Sequence, residues 1–221
     1  MRTVAILPVK GFAKAKRRLT SGLSPEQRQT LAEAMFSDVL AALEQSAQID
    51  EVLVVTRGAR AGQIATTHSI EAIADEERGH SAAALLGIRA AVERGADRAV
   101  LVPGDCPALD PSELDQLLAR PVDAPSVLIV PDRHGTGTNA LVLTPPGALA
   151  PSFGPGSCER HVREASAVGV NPEVVDVPSL ATDVDTPEDL EALDASLRLA
   201  NTGAAAATRR VIGSLIVSSR C

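Results

Sequence analysis

Short apolar runs alternate along the chain with longer segments in which apolar residues recur every three or four positions. The short runs indicate buried strands, and the periodic segments indicate helices. The predicted strands are Thr3–Val9, Glu51–Thr56, Ile70–Ala74, Ala99–Val102, Ser126–Val130 and Thr138–Leu143. The predicted helices are Pro25–Gln45, Ala59–Thr66, Ser81–Arg94, Pro111–Ala119, Cys158–Ala167 and Pro187–Leu199. Because strands alternate with helices, we predict an α/β fold, a three-layer sandwich with a mostly parallel sheet.

Two of the predicted helices have clear start signals in the sequence. Ser24 stands three residues before Gln27, a spacing typical of a helix capping box. Thr186 opens the last predicted helix in a similar way. Beyond that helix, an alanine run, an arginine pair and a short apolar stretch depart from the alternation. We therefore predict one domain over residues 1–200 and a C-terminal extension over residues 201–221, to which we assign no role.

Composition and charge argue against several kinds of partner. The 221 residues carry a formal net charge of −7 at pH 7, which is unfavourable for nucleic acid and for anionic membranes. Three Phe, no Tyr and no Trp are too few aromatic rings for a base-stacking platform. No apolar run approaches the length of a membrane-spanning helix. Cys106, Cys158 and Cys221 show neither metal-ligand nor disulfide spacing, so we expect a reducing, cytoplasmic location.

The cations of this acidic chain are concentrated directly after the first predicted strand. Five of them fall within nine residues and include every lysine of the chain: Lys10, Lys14, Lys16, Arg17 and Arg18. Since open parallel sheets bind ligands at the carboxyl ends of their strands, this loop indicates a site for a multivalent anion such as a triphosphate. A solvated basic face is the plainer alternative. The loop matches neither the Walker A sequence nor G-x-G-x-x-G, which argues against a P-loop nucleotidase and a dinucleotide dehydrogenase.

Carboxylates follow later strands. Asp105 stands at the carboxyl end of a predicted strand, in a loop restricted by Pro103 and Pro107, where an α/β nucleotide enzyme would hold a metal. Asp183 and Asp185 are two residues apart, so in an extended segment both would face the same side. Carboxylate oxygens favour Mg²⁺, and the sequence has no Cys/His cluster for zinc. Turn formation and helix-start chemistry are the alternatives for these aspartates.

Two glycine loops suit a small anionic ligand. In residues 131–140, Gly135 and Gly137 would let backbone amides approach a ligand, although an ordinary hairpin would explain them equally well. The neutral donors of this loop are Thr136, Thr138 and Asn139, and His134 is expected to orient it. Residues 153–157 open a helix whose free amides could bind phosphate or carboxylate, with Ser157 as its N-cap, a ligand or both.

In chain order, these motifs resemble those of one family, the 2-phospho-L-lactate/phosphoenolpyruvate guanylyltransferases of coenzyme F-420 (deazaflavin) biosynthesis. The resemblance spans about residues 3–199, and the two glycine loops are its most specific part. The segments that carry it are Ile6–Lys10, Ala15–Lys16, Arg18–Leu19, Pro103–Pro107, Asp132–Asn139, Phe153–Ser157 and Asp183–Asp185. It implies a nucleotidyltransferase fold of the GT-A, Rossmann-like kind. It also implies an enzyme that moves GMP from GTP to the phosphate of phosphoenolpyruvate or 2-phospho-L-lactate and releases pyrophosphate.

The resemblance also implies roles for individual residues. The residues that would bind GTP are Lys10, Lys16 and Arg18. Those that would hold the phosphorylated three-carbon acid are Thr138, Gly154 and Ser157. The implied ligands of Mg²⁺, the one cofactor, are Asp105, Asp183 and Asp185. Lys16 and Asp105 would be the catalytic residues.

Several alternatives stay open. Family members often carry Ser or Thr in place of Arg17 and Gly-Leu-Asn in place of residues 79–81, so guanine is implied less firmly than nucleotidyl transfer. Phosphoenolpyruvate, 2-phospho-L-lactate and a phosphoglycerate share the groups that the site would recognise, and the sequence leaves a homodimer open. The other candidate classes are a molybdopterin guanylyltransferase, a sugar-phosphate cytidylyltransferase, a GT-A glycosyltransferase and a non-catalytic nucleotide-binding domain.

Overall fold

The structure is a computed structural model that describes residues 1–12, 16–75, 79–121, 123–200 and 204–218. Lys14, Ala15 and Cys221 of the sequence predictions lie outside these ranges. The strands are β1 (Thr3–Val9), β2 (Glu51–Thr56), β3 (Glu71–Ala74), β4 (Arg98–Leu101), β5 (Ser126–Pro131), β6 (Thr138–Thr144) and β7 (Pro172–Val174). The α-helices are α1 (Pro25–Gln45), α2 (Ala59–Thr67), α3 (His80–Glu93), α4 (Pro111–Leu118), α5 (Ser157–Ala167), α6 (Pro187–Ala200) and α7 (Ala206–Ser218). Two 3-10 helices cover Arg17–Ser21 and Pro178–Leu180.

The strands form one sheet in the order β3-β2-β1-β4-β6-β5-β7. Strand β6 runs antiparallel to both of its neighbours, β4 and β5, whereas the other neighbouring pairs are parallel. The order reverses between β1 and β4, which lie side by side and lead to opposite halves of the sheet. The predicted mostly parallel sheet is confirmed, and the reversal places a ligand crevice at the carboxyl ends of β1 and β4.

Alternating side chains of β1 show how the sheet separates two cores. Ala5 and Leu7 belong to the core that is shared with α1, α2, α4, α6 and α7, whereas Val4 and Ile6 belong to the core that is shared with α3 and α5. A buried strand alternates its side chains between faces, so each face of the sheet is covered by its own helix layer. The predicted three-layer α/β sandwich is therefore confirmed.

The predicted helix starts are present in the structure. Ser24 and Gln27 form the reciprocal capping box at the start of α1. Asp110 caps α4 by accepting a hydrogen bond from the Ser112 backbone N–H at 2.7 Å. The ends of all predicted strands and helices lie within one residue of the observed ends. Local signals thus suffice for these elements.

The sequence pattern did not predict β7, the two 3-10 helices or α7. Helix α7 lies in the C-terminal extension and packs against α1, and its Ile212 side chain is buried in the core. The Asp38 carboxylate on α1 accepts hydrogen bonds from the backbone N–H groups of Ala207 and Thr208 at 3.0 and 2.7 Å. A residue distant in sequence therefore caps this helix. Within the described ranges, none of the helices combines the length and apolar character that crossing a bilayer requires.

Two helical glycines, Gly87 on α3 and Gly62 on α2, give a matched test of the packing between the helices and the sheet. A Cβ on Gly87 would lie 2.3 Å from the Ile6 Cγ2 atom, so Gly87→Ala forces a buried side chain to move. We expect a net loss of about 1–2 kcal/mol in the free energy of unfolding, because overpacking outweighs the helix propensity of alanine. A Cβ on Gly62 would lie 4.0 Å from the Ala72 Cβ, so Gly62→Ala should stabilise the protein by up to about 1 kcal/mol. Urea unfolding of both variants checks this, and an unchanged or more stable Gly87→Ala protein contradicts it.

Candidate active site

A cavity of about 950 Å³ opens at the carboxyl ends of β1 and β4 and reaches the 132–137 loop and the start of α5. It is lined by all nine residues to which the family resemblance assigns a role: Lys10, Lys16, Arg18, Asp105, Thr138, Gly154, Ser157, Asp183 and Asp185. These residues come from segments far apart in the sequence, and the sheet reversal brings them together. Their convergence makes this cavity the candidate active site.

Lys16 lies between two carboxylates. Its Nζ atom donates hydrogen bonds to Asp105 Oδ2 at 2.5 Å and to Asp185 Oδ1 at 2.9 Å. The Lys16 side chain is only 6% exposed, and its backbone adopts a left-handed conformation with φ of 54°. Burial alone would lower the pKa of the ammonium, but the charges and hydrogen bonds of Asp105 and Asp185 raise the pKa of Lys16 overall. The cation is thus held charged between the two aspartates.

The second acidic segment is anchored beside Asp105. The Val184 backbone N–H donates to the Asp105 carbonyl at 3.1 Å, and the Val184 side chain is buried in the core. Asp183 and Asp185 flank Val184 and both line the cavity, as their spacing predicted. Asp183 accepts a hydrogen bond from Asn139 Nδ2 at 3.2 Å. Burial, followed by the charge of Asp105, raises the pKa of Asp183.

The predicted three-aspartate metal site is not preformed. Over the ranges that the structure describes, no group of three or more His, Cys, Asp or Glu side chains is arranged to hold a metal ion. Lys16 instead occupies the space between Asp105 and Asp185, while Asp183 is held by Asn139. Two carboxylates that converge on one cation are nevertheless hard oxygen donors, and this donor set fits Mg²⁺.

The predicted cationic loop contributes three side chains to the cavity. These are Lys10, Lys16 and Arg18, of which Lys10 and Arg18 are exposed. Arg133 also lines the cavity and pairs with Asp189 at 2.6 Å. Lys16 and Arg133 are thus paired with aspartates, whereas Lys10 and Arg18 are exposed cations of the same cavity.

The glycine loop at residues 132–137 uses its own amides internally. Asp132 Oδ1 accepts hydrogen bonds from the backbone N–H groups of His134 and Thr136 at 3.1 and 2.9 Å, and Asp132 Oδ2 accepts one from Gly137 at 2.9 Å. A Cβ on Gly137 would lie 2.6 Å from that carboxylate oxygen. The expectation that these amides approach a ligand is therefore wrong. Gly137 makes room for Asp132, and Asp132 rather than His134 orients the loop.

The second glycine loop is fixed by α5. The Ser152 backbone N–H donates to His161 Nε2 at 2.9 Å, and Ser152 Oγ donates to Glu164 Oε2 at 2.6 Å. Arg160 Nη2 donates to the Ser152 carbonyl at 2.7 Å. The helix begins at Ser157 with Gly156 as its N-cap, so Ser157 is not the cap that the sequence suggested. Its Oγ atom instead lies 3.1 Å from Thr138 Oγ1 in the cavity.

Two histidines lie at or directly behind the cavity wall: His80 belongs to the 79–81 segment noted from the sequence, whereas His161 was not predicted. His161 is fully buried, and its Nδ1 atom lies 3.0 Å from Thr138 Oγ1. Burial lowers the pKa of His161 to about 4. His80, at the start of α3, stacks edge-on against Phe153 at 4.9 Å, and burial lowers its pKa as well. Ser157 and His161 are four residues apart and share one helix face, which is the signal that could have identified His161.

The fold places the chain in a structural class that it shares with solved structures titled as nucleotidyl- and cytidylyltransferases. A solved structure titled a nucleotidyl transferase from Methanothermobacter thermautotrophicus has this fold, with a TM-score of 0.61 and 22% sequence identity, covering 90% of this chain and 99% of that one. At this identity the likeness shows the fold alone.

Sequence comparison then identifies the family within this class. The chain belongs to the family described as guanylyl transferase CofC like, whose model matches residues 3–196.

Curated relatives cover almost the same length. The phosphoenolpyruvate guanylyltransferase of Conexibacter woesei is 46% identical over 218 residues, which are 98% of this chain and 97% of that protein. The 3-phospho-D-glycerate guanylyltransferase of Colwellia psychrerythraea is 36% identical over 87% of this chain and 91% of its own. The 2-phospho-L-lactate guanylyltransferase of Methanothermobacter thermautotrophicus is 34% identical over 86% and 83%, respectively. The family predicted from the motifs is thus confirmed.

The buried His161 predicts a pH dependence of stability. The pKa of His161 is about 4 in the folded protein and near 6.5 in an unfolded chain, so between these values only the unfolded chain takes up the proton. The free energy of unfolding should therefore fall as the pH decreases from about 6.5 to 4, with at most about 1.4 kcal/mol per pH unit from this group. Above pH 7 the contribution is constant.

Denaturant unfolding between pH 7.5 and 4.5 measures this slope. His161→Asn should show a smaller slope than the wild type, whereas His134→Asn, a change on the exposed 132–137 loop, serves as the matched control. Equal slopes for the wild type and His161→Asn would show that the buried imidazole does not stay neutral.

Proposed function

We propose that this protein is a guanylyltransferase that transfers GMP from GTP to the phosphate of phosphoenolpyruvate and releases pyrophosphate. The observation that carries the proposal is the division of one cavity into two parts. Cations and a carboxylate pair lie at the ends of β1 and β4, and hydroxyl groups lie on β6 and α5. Such a cavity suits two anionic substrates side by side. Family membership favours this activity over the other nucleotidyltransferases considered above.

In this reaction an oxygen of the acceptor phosphate attacks the α-phosphorus of GTP, and the bond from that phosphorus to the leaving pyrophosphate breaks. The acceptor phosphate is already an anion at pH 7, so the attack needs no general base. Repulsion between two polyanions is the main obstacle, and positioned cations remove it. The cavity is rich in cations, as this reaction requires. Its buried His161 has both ring nitrogens hydrogen-bonded and so is not placed as a general base.

The cationic part would receive the triphosphate. Lys10 and Arg18 are exposed at its rim, and Lys16 lies deeper, against Asp105 and Asp185. In our proposal, Asp105 and Asp185 would hold Mg²⁺ with Asp183 beside them, while Lys16 turns from the carboxylates to the phosphates of GTP. When bound, Mg²⁺ supplies electrostatic stabilisation of the charge that develops on the phosphoryl oxygens.

The hydroxyl part would receive the three-carbon acid. Thr138 and Ser157 offer hydroxyl groups, and Gly154 and the N-terminus of α5 border the same space. Backbone N–H groups at a helix N-terminus favour an anion. We propose phosphoenolpyruvate as the acceptor because a relative named a phosphoenolpyruvate guanylyltransferase is 46% identical. We further propose that the reaction belongs to coenzyme F-420 biosynthesis and takes place in the cytoplasm.

The decisive assay is pyrophosphate release with GTP and Mg²⁺. Its arms contain phosphoenolpyruvate, 2-phospho-L-lactate, 3-phospho-D-glycerate or no acceptor, and parallel arms replace GTP by ATP or CTP. We expect release that requires both GTP and phosphoenolpyruvate. Release with a different acid corrects the acceptor alone, release with a different nucleotide corrects the base, and no release in any arm refutes the proposal.

Asp105 provides a test of the carboxylate pair. Asp105→Asn keeps the shape of the side chain but removes its charge, so turnover should fall by at least about 100-fold. Asp110→Asn is the matched control, because Asp110 caps α4 and asparagine caps helices equally well. Steady-state pyrophosphate release and thermal unfolding of both variants check this. Near-normal turnover of a folded Asp105→Asn protein would show that the Asp105 charge is not needed for catalysis.

A variant at Thr138 tests the hydroxyl part of the cavity separately. Thr138→Val removes the hydroxyl at nearly constant volume and should raise the KM for the acceptor about 10-fold or more, because a hydrogen bond to a charged group is lost. The KM for GTP should stay within about twofold, since the triphosphate lies at the other part of the cavity. A change in the KM for GTP alone would place Thr138 on the nucleotide instead.

A further inference from the structure

His161 is buried directly behind the Thr138 and Ser157 hydroxyl groups of the hydroxyl part of the cavity. It is fully buried and does not line the cavity, yet it lies 3.0 Å from Thr138 Oγ1. We propose that His161 is a positioning residue: held as the Nδ1–H tautomer, it orients the Thr138–Ser157 hydroxyl pair so that one O–H points at the anionic acceptor. The identity of that acceptor rests on the proposed function, whereas the orientation itself does not.

The tautomer follows from a fixed donor. The Ser152 backbone N–H donates to His161 Nε2 at 2.9 Å, so Nε2 must carry a lone pair and no proton. Because burial lowers the pKa of His161 to about 4, the ring is neutral at pH 7 and its one proton resides on Nδ1. Nδ1–H therefore donates to Thr138 Oγ1.

The orientation of the hydroxyl pair follows from counting protons. Thr138 and Ser157 have one O–H each, and their oxygens are 3.1 Å apart, so one of the two protons lies between them. His161 uses Nδ1–H to donate to Thr138 Oγ1 and Nε2 to accept from Ser152. The ring therefore has no lone pair that could accept either hydroxyl proton. Since Ser157 Oγ donates to Thr138 Oγ1, the remaining O–H is that of Thr138. The half-buried Thr138 presents this O–H to a ligand at the cavity surface.

The surroundings of the ring hold it in this state. The Glu164 carboxylate accepts from Ser152 Oγ at 2.6 Å, and the Arg160 guanidinium donates to the Ser152 carbonyl, so each is engaged with the loop. The Phe153 ring covers the imidazole edge-on at 5.4 Å. Both ring nitrogens are thus occupied, and His161 cannot take a proton from the cavity as a general base.

A hydroxyl pair that offers a proton selects for an acceptor atom. An anionic carboxylate or phosphate oxygen completes the chain of hydrogen bonds, whereas a ligand group that can only donate, such as an ammonium, would not. Since the chain exists before the ligand arrives, it needs no rearrangement on binding. The inference therefore assigns part of the selectivity for anions to a residue that never touches the substrate.

The first experiment observes the tautomer without any substrate. Protein labelled with ¹⁵N in its imidazole rings has four histidines, and the spectrum of His161→Gln identifies the resonances of His161 by their loss. At pH 7.5, the two-bond ¹H–¹⁵N spectrum should show a protonated Nδ1 and an unprotonated Nε2 for His161. The opposite tautomer, or rapid exchange between the two, overturns the inference.

The second experiment asks whether His161 acts through Thr138. His161→Gln keeps an amide oxygen that can accept from Ser152 but replaces the ring-held Nδ1–H by the amide of a flexible side chain, so the donor to Thr138 is no longer fixed. We expect the KM for the acceptor to rise about 5- to 10-fold with little change in the KM for GTP. The double variant with Thr138→Val should be no worse than Thr138→Val alone, because both changes remove one chain. Additive effects, or an unchanged KM for the acceptor in His161→Gln, contradict the inference.

The control is His68→Gln, a change far from the cavity, where the ring bonds Ser37 and Glu44. It should leave both KM values unchanged. If no acid supports turnover, the proposed function fails, and the tautomer of His161 still decides this inference by itself.

Discussion

The site depends on how charge is balanced between Lys16, Asp105 and Asp185. Three ionised groups from positions 89 and 169 residues apart along the chain meet within hydrogen-bonding distance. Without the ammonium, the two carboxylates would repel each other, and because their side chains are 30% and 48% exposed, water would screen this repulsion only in part. The left-handed backbone at Lys16 directs its side chain inward at this point. The ends of β1 and β4 can therefore gather acidic residues only because a tethered cation accompanies them.

This balance separates two ways of handling anions in one cavity. Near β1, full charges face each other, and any anion that enters competes with Asp105 and Asp185 for the cations. Near α5, neutral hydroxyl groups and a helix N-terminus are the groups proposed to bind the acid, and the hydroxyl groups belong to a network of buried hydrogen bonds. The ring of Phe153 lies between His80 and His161, and the Phe153 backbone N–H donates to Ser81 Oγ at 2.9 Å. The two parts are thus joined through one loop that packs on both α3 and α5.

Most of the architecture could be predicted because it follows from local patterns. Alternating apolar runs identify β1 to β6, and the capping box at Ser24 marks the start of α1. The site could be located because strand ends of a parallel sheet collect ligand-binding residues, which places the loops after β1 and β4 side by side. Features that depend on distant partners could not be predicted. Helix α7 is capped by Asp38, which lies 169 and 170 residues before the two amides that it binds. The same limit applies to His161, whose importance lies in contacts with Ser152 and Thr138.

Recognition of an anion does not by itself distinguish one acid from another. Relatives named for phosphoenolpyruvate, 3-phospho-D-glycerate and 2-phospho-L-lactate share this family, and all three acids carry a phosphate and a carboxylate. A donor hydroxyl on Thr138 would satisfy any of these anions equally, because it senses charge and not the carbon skeleton. Discrimination therefore has to come from the shape of the walls around the hydroxyl pair. In our proposal the lining that would make this distinction is Phe153, Gly154 and Pro155, a segment that Arg160 holds through the Ser152 and Pro155 carbonyls. The residues proposed to bind the anion lie on β6 and α5, whereas those proposed to choose the acid lie on the loop between these two elements.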